Sequence, residues 1–176
     1  MKIPNILTSL RIAMIPLFIF LFFSDIESNY TYAFIVFALA GITDILDGYI
    51  ARRFDMITDA GKVLDPLADK LMLMSVLICL ASTNMVPLWL LTVMVIKELI
   101  MVYGGIRLYY SKTQIIIPSN KFGKMATVSF YIAICMVLLN VDHLIASIVL
   151  YIAVGLALYA FFNYVMIVIR TKSQET

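Results

Sequence analysis

The stretch Leu144 to Ile169 reads LIASIVLYIAVGLALYAFFNYVMIVI and contains no charged side chain. A bilayer's hydrocarbon core needs only ~20 apolar residues of helix to cross it, so this run is long enough to span. Leu71 to Leu80 is likewise uninterrupted. The whole chain repeats the pattern: 176 residues, 63% apolar and 14% charged, with a mean hydropathy of +1.01. Soluble domains hold roughly 45–50% apolar and 25% charged residues. An apolar excess laid out in long runs cannot be hidden in one compact core, which excludes a water-soluble single domain. The bilayer is the solvent. At ~20 residues per crossing the length allows at most about seven or eight helices, one membrane domain over 1–176, and chemistry at the membrane itself.

Apolar runs set against their polar interruptions predict six spans, at 7–23, 31–50, 61–81, 86–110, 121–139 and 144–169. The first could pass for a signal peptide after Lys2. Arg11 sits inside it, however, no small-x-small cleavage site follows, and Asn5 and Thr8 are polar, so it reads as a retained helix with a partly interfacial start. Lys2 and Arg11 lie at the N-terminal end. Arg52, Arg53, Lys62 and Lys70 surround the second connection, Arg107, Lys112, Lys121 and Lys124 the fourth, and Arg170 and Lys172 follow the last span. The first, third and fifth connections carry no Lys or Arg. Because cytoplasmic loops are enriched in these residues, the expectation is an all-α integral membrane protein with six transmembrane helices and both termini cytoplasmic. Lys97, the remaining basic residue, falls inside a span beside Glu98, as an intramembrane ion pair facing the protein interior would.

Other features carry less. Cys79 and Cys135 lie in apolar runs and read as small packing residues, not a disulfide framework. A net charge of +2, broken up by helices, gives no nucleic-acid surface. His143 reads as a surface residue, Trp89, Tyr30, Tyr109 and Tyr110 as an interfacial aromatic belt, and the methionines as helix packing.

Six of the 11 acidic residues fall between Asp44 and Asp69, in TDILDGYIAR (43–52) and GKVLDPLAD (61–69). Asp44 and Asp47 are three apart, Asp65 and Asp69 four apart, so on helices each pair shares a face. A short connection lets the two helices run antiparallel with the pairs opposed. Each charge in an apolar helix costs about 2.5–3.5 kcal/mol on insertion scales, and four carboxylates together repel unless cations separate them. Carboxylate oxygens without His or Cys select hard ions such as Mg²⁺ or Mn²⁺. Two such ions would neutralise four Asp residues, and a pair held about 3.5–4 Å apart suits displacement at phosphorus. Gly48, Ala51 and Gly61 add small surfaces on the same faces, and Arg52 suits a diphosphate clamp. Asp55 and Asp59, in the connection, read as solvated acids.

This stretch resembles, at every fixed position, the pattern Asp-x2-Asp-Gly-x2-Ala-Arg-x8-Gly-x3-Asp-x3-Asp of the CDP-alcohol phosphatidyltransferases. The opening Ile3-Pro4-Asn5-Ile6-Leu7-Thr8-Ser9-Leu10-Arg11 is similar to that of bacterial phosphatidylglycerophosphate synthases within that family, and six spans is the family's topology. The resemblance implies attack of an acceptor hydroxyl on the β-phosphorus of CDP-diacylglycerol, with release of CMP, in a bacterial cell membrane with the site facing the cytoplasm. Carried over by position, Asp44 and Asp65 would contact both metals, Asp47 one, and Asp69 the other while acting as general base. Gly48, Arg52 and Thr58 would touch the CDP-diacylglycerol head group, with Asn5 and Thr8 as further contacts. The resemblance also implies a homodimer.

The leading acceptor is glycerol-3-phosphate, whose dianion calls for Lys and Arg; Lys124, Arg107, Lys121 and Lys112 are the available set. Two departures weaken this reading, and the first, a missing lysine, is shared with the alternative, a cardiolipin synthase using phosphatidylglycerol. Phosphatidylglycerophosphate synthases usually show Gly-Lys-x-Lys-Thr, whereas this chain reads Gly123-Lys124-Met125-Ala126-Thr127. Their Arg-Glu and Gly-Leu-Arg in the fourth span stand here as Lys97-Glu98 and Gly104-Gly105-Ile106-Arg107. A small cation transporter is the remote reading. It would spread its acids through the depth of several helices instead of gathering them at the end of two.

Overall fold

In the structure, a computed structural model, six helices follow one another: α1 (Ile3–Phe22), α2 (Asn29–Arg53), α3 (Asp59–Ser82), α4 (Leu88–Tyr110), α5 (Lys121–Leu138) and α6 (His143–Ser173). The backbone is described over residues 3–53, 59–110 and 121–173, and side chains over 7–50, 53, 64–65, 67–104 and 123–166. All regular structure among these residues is helical. The expected spans match the helices to within a few residues, with two extensions. Pro4 stands in the first turn of α1, where a missing N–H costs nothing, so the helix starts ahead of polar Asn5 and Thr8. At the other end α6 runs on through Arg170 and Lys172, both good helix formers. By length and composition, Asn29–Ile50 and His143–Met166 can cross a membrane, and Leu7–Phe22 and Gly123–Leu138 are shorter apolar helices.

Two tight turns show how helices end. After α3, Asn84 takes a left-handed conformation (φ 58°), its N–H bonds to the Ala81 carbonyl at 3.1 Å, and the Met85 N–H reaches back to Leu80 at 2.9 Å. This pairing closes the last carbonyls of a helix. After α5, Asn140 (φ 51°) plays the same part, with the Val141 N–H on the Met136 carbonyl at 3.0 Å. Asp142 then caps α6, its Oδ1 accepting from the Leu144 and Ile145 N–H groups at 3.0 and 3.2 Å.

The chain divides into two compact units, Met1–Val86 with Leu138–Asn140, and Pro87–Val137 with Val141–Thr176. In the first, α1 packs along both α2 and α3. Phe18 stacks on Phe22 (5.7 Å between centroids) and meets the edge of Phe37 at 6.4 Å. All three rings are buried, with Ala33 and Ala40 on the same face of α2 letting backbones approach. Pro16 lies within α1; it cannot donate to the Ile12 carbonyl, which removes one rung from the helical ladder.

In the second unit α4 packs on α6, and Trp89 stacks on Tyr151 at 5.9 Å. A Cβ at Gly123 would stand 4.0 Å from that of Ala160, an ordinary contact. The expected pair in α4 forms, Lys97 Nζ lying 2.6 Å from Glu98 Oε1 with both side chains largely buried. Outside, Phe20, Ile45, Leu99, Leu144 and Phe162 are exposed. Hydrocarbon solvates an apolar exterior of this kind and water does not.

Candidate active site

The polar end of the first unit is built on α1. Thr8 and Arg11 are three apart and so share a face; both are buried, Arg11 completely. An arginine in an apolar helix is tolerated only where it meets opposite charge, and α2 supplies it. Arg11 Nη1 lies 2.6 Å from Asp44 Oδ1 and Nη2 lies 2.6 Å from Asp47 Oδ2, the second contact being a hydrogen bond donated by the guanidinium. The fork of one side chain thus spans two carboxylates on successive turns of α2. Toward α3, the Thr8 hydroxyl donates to Asp65 Oδ1 at 2.5 Å. Asp65 also stands close enough to Asp47 for their charges to interact.

Exposure is graded across this cluster. Arg11 is inaccessible, Asp47 is 3% exposed, and the Asp44 side chain is 40% exposed, so the carboxylates open outward from a sealed guanidinium. Breaking a buried pair of this kind by removing one partner costs about 3–5 kcal/mol. Gly48, Asp65 and Asp69 are half-buried.

Three of the four expected ligands, Asp44, Asp47 and Asp65, are therefore gathered around α1, and Asp69 follows Asp65 one turn along α3. The donor chemistry, oxygen alone, fits a hard divalent ion. Among the described residues no three of these carboxylates already converge as metal ligands, and Arg11 and Thr8 hold one oxygen each of Asp44, Asp47 and Asp65. Ala51 and Arg52 belong to the end of α2, Gly61 to the start of α3, and Asn5 to α1, but their side chains lie outside the described residues, as does all of Thr58. Lys124 is exposed on α5 in the second unit; Arg107 and Lys121 are placed only by their helices, and Lys112 lies outside the described residues.

Sequence reasoning missed Arg11 as part of this cluster. It counted the residue as a cytoplasmic marker in a partly interfacial segment, whereas the structure buries it against α2. The signal was present. A cation several residues into an apolar helix needs a nearby acid, and four clustered acids need a cation.

Comparison with known proteins gives the family. Residues 1–159 match the family described as CDP-alcohol phosphatidyltransferase. A CDP-diacylglycerol–glycerol-3-phosphate 3-phosphatidyltransferase of Bacillus subtilis is 33% identical over 151 residues, 79% of this chain and 77% of the relative. One of the same name from Rickettsia typhi is 30% identical over 170 residues, 93% of this chain and 94% of the relative. A CMP-forming cardiolipin synthase of Streptomyces coelicolor is 37% identical over 147 residues, 80% and 66% of the two chains. With the carboxylate pattern and the match over most of its length, the chain belongs to the CDP-alcohol phosphatidyltransferase family.

Proposed function

We propose that this chain transfers the phosphatidyl group of CDP-diacylglycerol to glycerol-3-phosphate, giving phosphatidylglycerophosphate and CMP. The observation that carries the reading is the gathering of Asp44, Asp47 and Asp65, three fixed positions of the family motif, around Thr8 and Arg11 of α1. Asp44, Asp47, Asp65 and Asp69 are the residues that would hold two divalent ions, Mg²⁺ or Mn²⁺. When bound, such ions supply positive charge to the diphosphate and to the departing CMP oxygen. A carboxylate oxygen of Asp69 takes the proton of the acceptor hydroxyl as its oxygen forms the new bond to phosphorus. The bond from that phosphorus to the CMP oxygen breaks, and CMP leaves. Arg52, by its place in the motif, balances the diphosphate charge, and half-buried Gly48 beside Asp47 lets the head group approach backbone.

The acceptor carries its own phosphate, and exposed Lys124 on α5 is the residue proposed to meet it. CMP release from CDP-diacylglycerol by the purified protein, offered glycerol-3-phosphate or phosphatidylglycerol in turn, tests this. The first acceptor should support turnover and the second should not, and Lys124→Ala should chiefly raise KM, since it removes a contact made equally in ground and transition states. A specific observation favours the second reading, a cardiolipin synthase. Ala126, where the motif of phosphatidylglycerophosphate synthases places a second lysine, is 4% exposed, so a charge there would be buried. Preferential turnover with phosphatidylglycerol would decide for it.

The six-span arrangement with cytoplasmic termini belongs to the same proposal. It is supported by the confinement of Lys and Arg to alternate connections. With Cys79 and Cys135 replaced by Ala, a cysteine at exposed Glu27 should label from outside intact cells and one at Ser173 only after permeabilisation. The reverse pattern would put the site on the wrong face for a nucleotide-activated lipid.

A further inference from the structure

The guanidinium of Arg11 is the only cation among the described residues within ion-pair distance of Asp44 or Asp47. It is fully buried, yet only part of its donor set is used. Nη2 makes the aligned hydrogen bond to Asp47, Nη1 sits at ion-pair distance from Asp44 without hydrogen-bond geometry, and Nε has no partner among the described residues. A buried arginine placed for stability alone would have its five donors satisfied. This one is held chiefly by charge. The oxygens it holds, Asp44 Oδ1 and Asp47 Oδ2, belong to two residues that a shared divalent ion would also need. The cation sits on the sealed side of the pair, while Asp44 opens to the outside.

From this arrangement we propose that Arg11 is an internal placeholder cation. In the metal-free protein it neutralises the Asp44 and Asp47 pair and clamps α1 to α2; a divalent ion entering from the exposed side of Asp44 must take those carboxylates from it. Two cations claiming one pair of acids exclude each other, so each weakens the other's hold. Arg11 is then a positioning residue that sets how much metal the site needs, and it keeps Asp44 and Asp47 from repelling one another when metal is scarce. This rests on the metal reading under Proposed function.

The test is direct Mn²⁺ binding by the full chain in detergent, counted by electron paramagnetic resonance of free Mn²⁺, beside thermal unfolding in chelator. Arg11→Gln should bind Mn²⁺ about tenfold or more tightly than the unsubstituted chain, the usual size of such a coupling. Its metal-free Tm should fall by roughly 6–20 °C, the loss expected for breaking a buried pair in a chain of this length. Arg11→Lys keeps the charge but reaches one carboxylate at a time, so it should lie between the two in both measurements, and it decides alone if Arg11→Gln does not fold. Binding by the variants equal to or weaker than that of the unsubstituted chain overturns the placeholder role and leaves the metal reading standing. No Mn²⁺ binding by the unsubstituted chain overturns both.

Discussion

The inward face of α1 changes chemistry along its length. Toward one end it presents Phe18 to Phe37 and Phe22 to Tyr30, contacts that depend on shape and dispersion. Toward the other it presents Arg11 and Thr8 to Asp44, Asp47 and Asp65, contacts that depend on charge and hydrogen-bond direction. The aromatic end tolerates other apolar side chains of similar volume. The polar end does not, because every acid there needs a specific cation or donor. Apolar packing is thus concentrated in one half of the helix and directed polar contacts in the other, and substitutions can separate the two.

The largest effect should come from Asp65→Asn. Asparagine keeps an oxygen for the Thr8 hydroxyl but loses the charge, so CMP release should fall by about 10³-fold or more while the protein still purifies as a folded species. Near-normal turnover would place the chemistry elsewhere. The converse substitution is Phe37→Ala, which removes a fully buried ring and should lower unfolding free energy by about 3–5 kcal/mol. CMP release per folded molecule should stay close to that of the unsubstituted chain. A loss of turnover as deep as that of Asp65→Asn would erase the distinction between the two halves.

A smaller effect sharpens the boundary. Thr8→Val keeps the shape and removes the hydroxyl that donates to Asp65, which should cost about 1–3 kcal/mol and reduce CMP release several-fold, with Thr8→Ser restoring both. If Thr8→Ser is as impaired as Thr8→Val, the methyl is required beside the hydroxyl, and the packing rules of the aromatic half extend further along α1 than the hydrogen bond suggests.

Much of this was legible in the sequence because bilayer solvation writes itself into composition. The ends of α2 through α5 follow from where apolar runs meet polar residues, and the pairing of Asp44 with Asp47 follows from helical spacing. The Lys97 and Glu98 pair was expected on cost alone. What was not legible was which helix stands against the acids. Spacing within α2 and α3 relates neighbours on one helix, whereas the approach of Arg11 to Asp47 joins residues 36 apart in the chain, and local periodicity has no term for it. The caps were equally hidden: Asn84 and Asn140 are ordinary loop residues until their left-handed φ values show them closing helix ends.

Pro16 gives the two halves of α1 a mechanical relation. It falls between Arg11 and Phe18, and the rung it removes makes this the softest place to flex in the helix. Thr8 lies eight residues beyond it, a lever arm of about 12 Å at 1.5 Å per residue. A change of bend of only about 10° at Pro16 therefore moves the Thr8 end by about 2 Å, farther than a hydrogen bond can stretch, with the aromatic half left in its seat. The proline makes α1 a lever whose fulcrum separates its anchor from its grip on the acids.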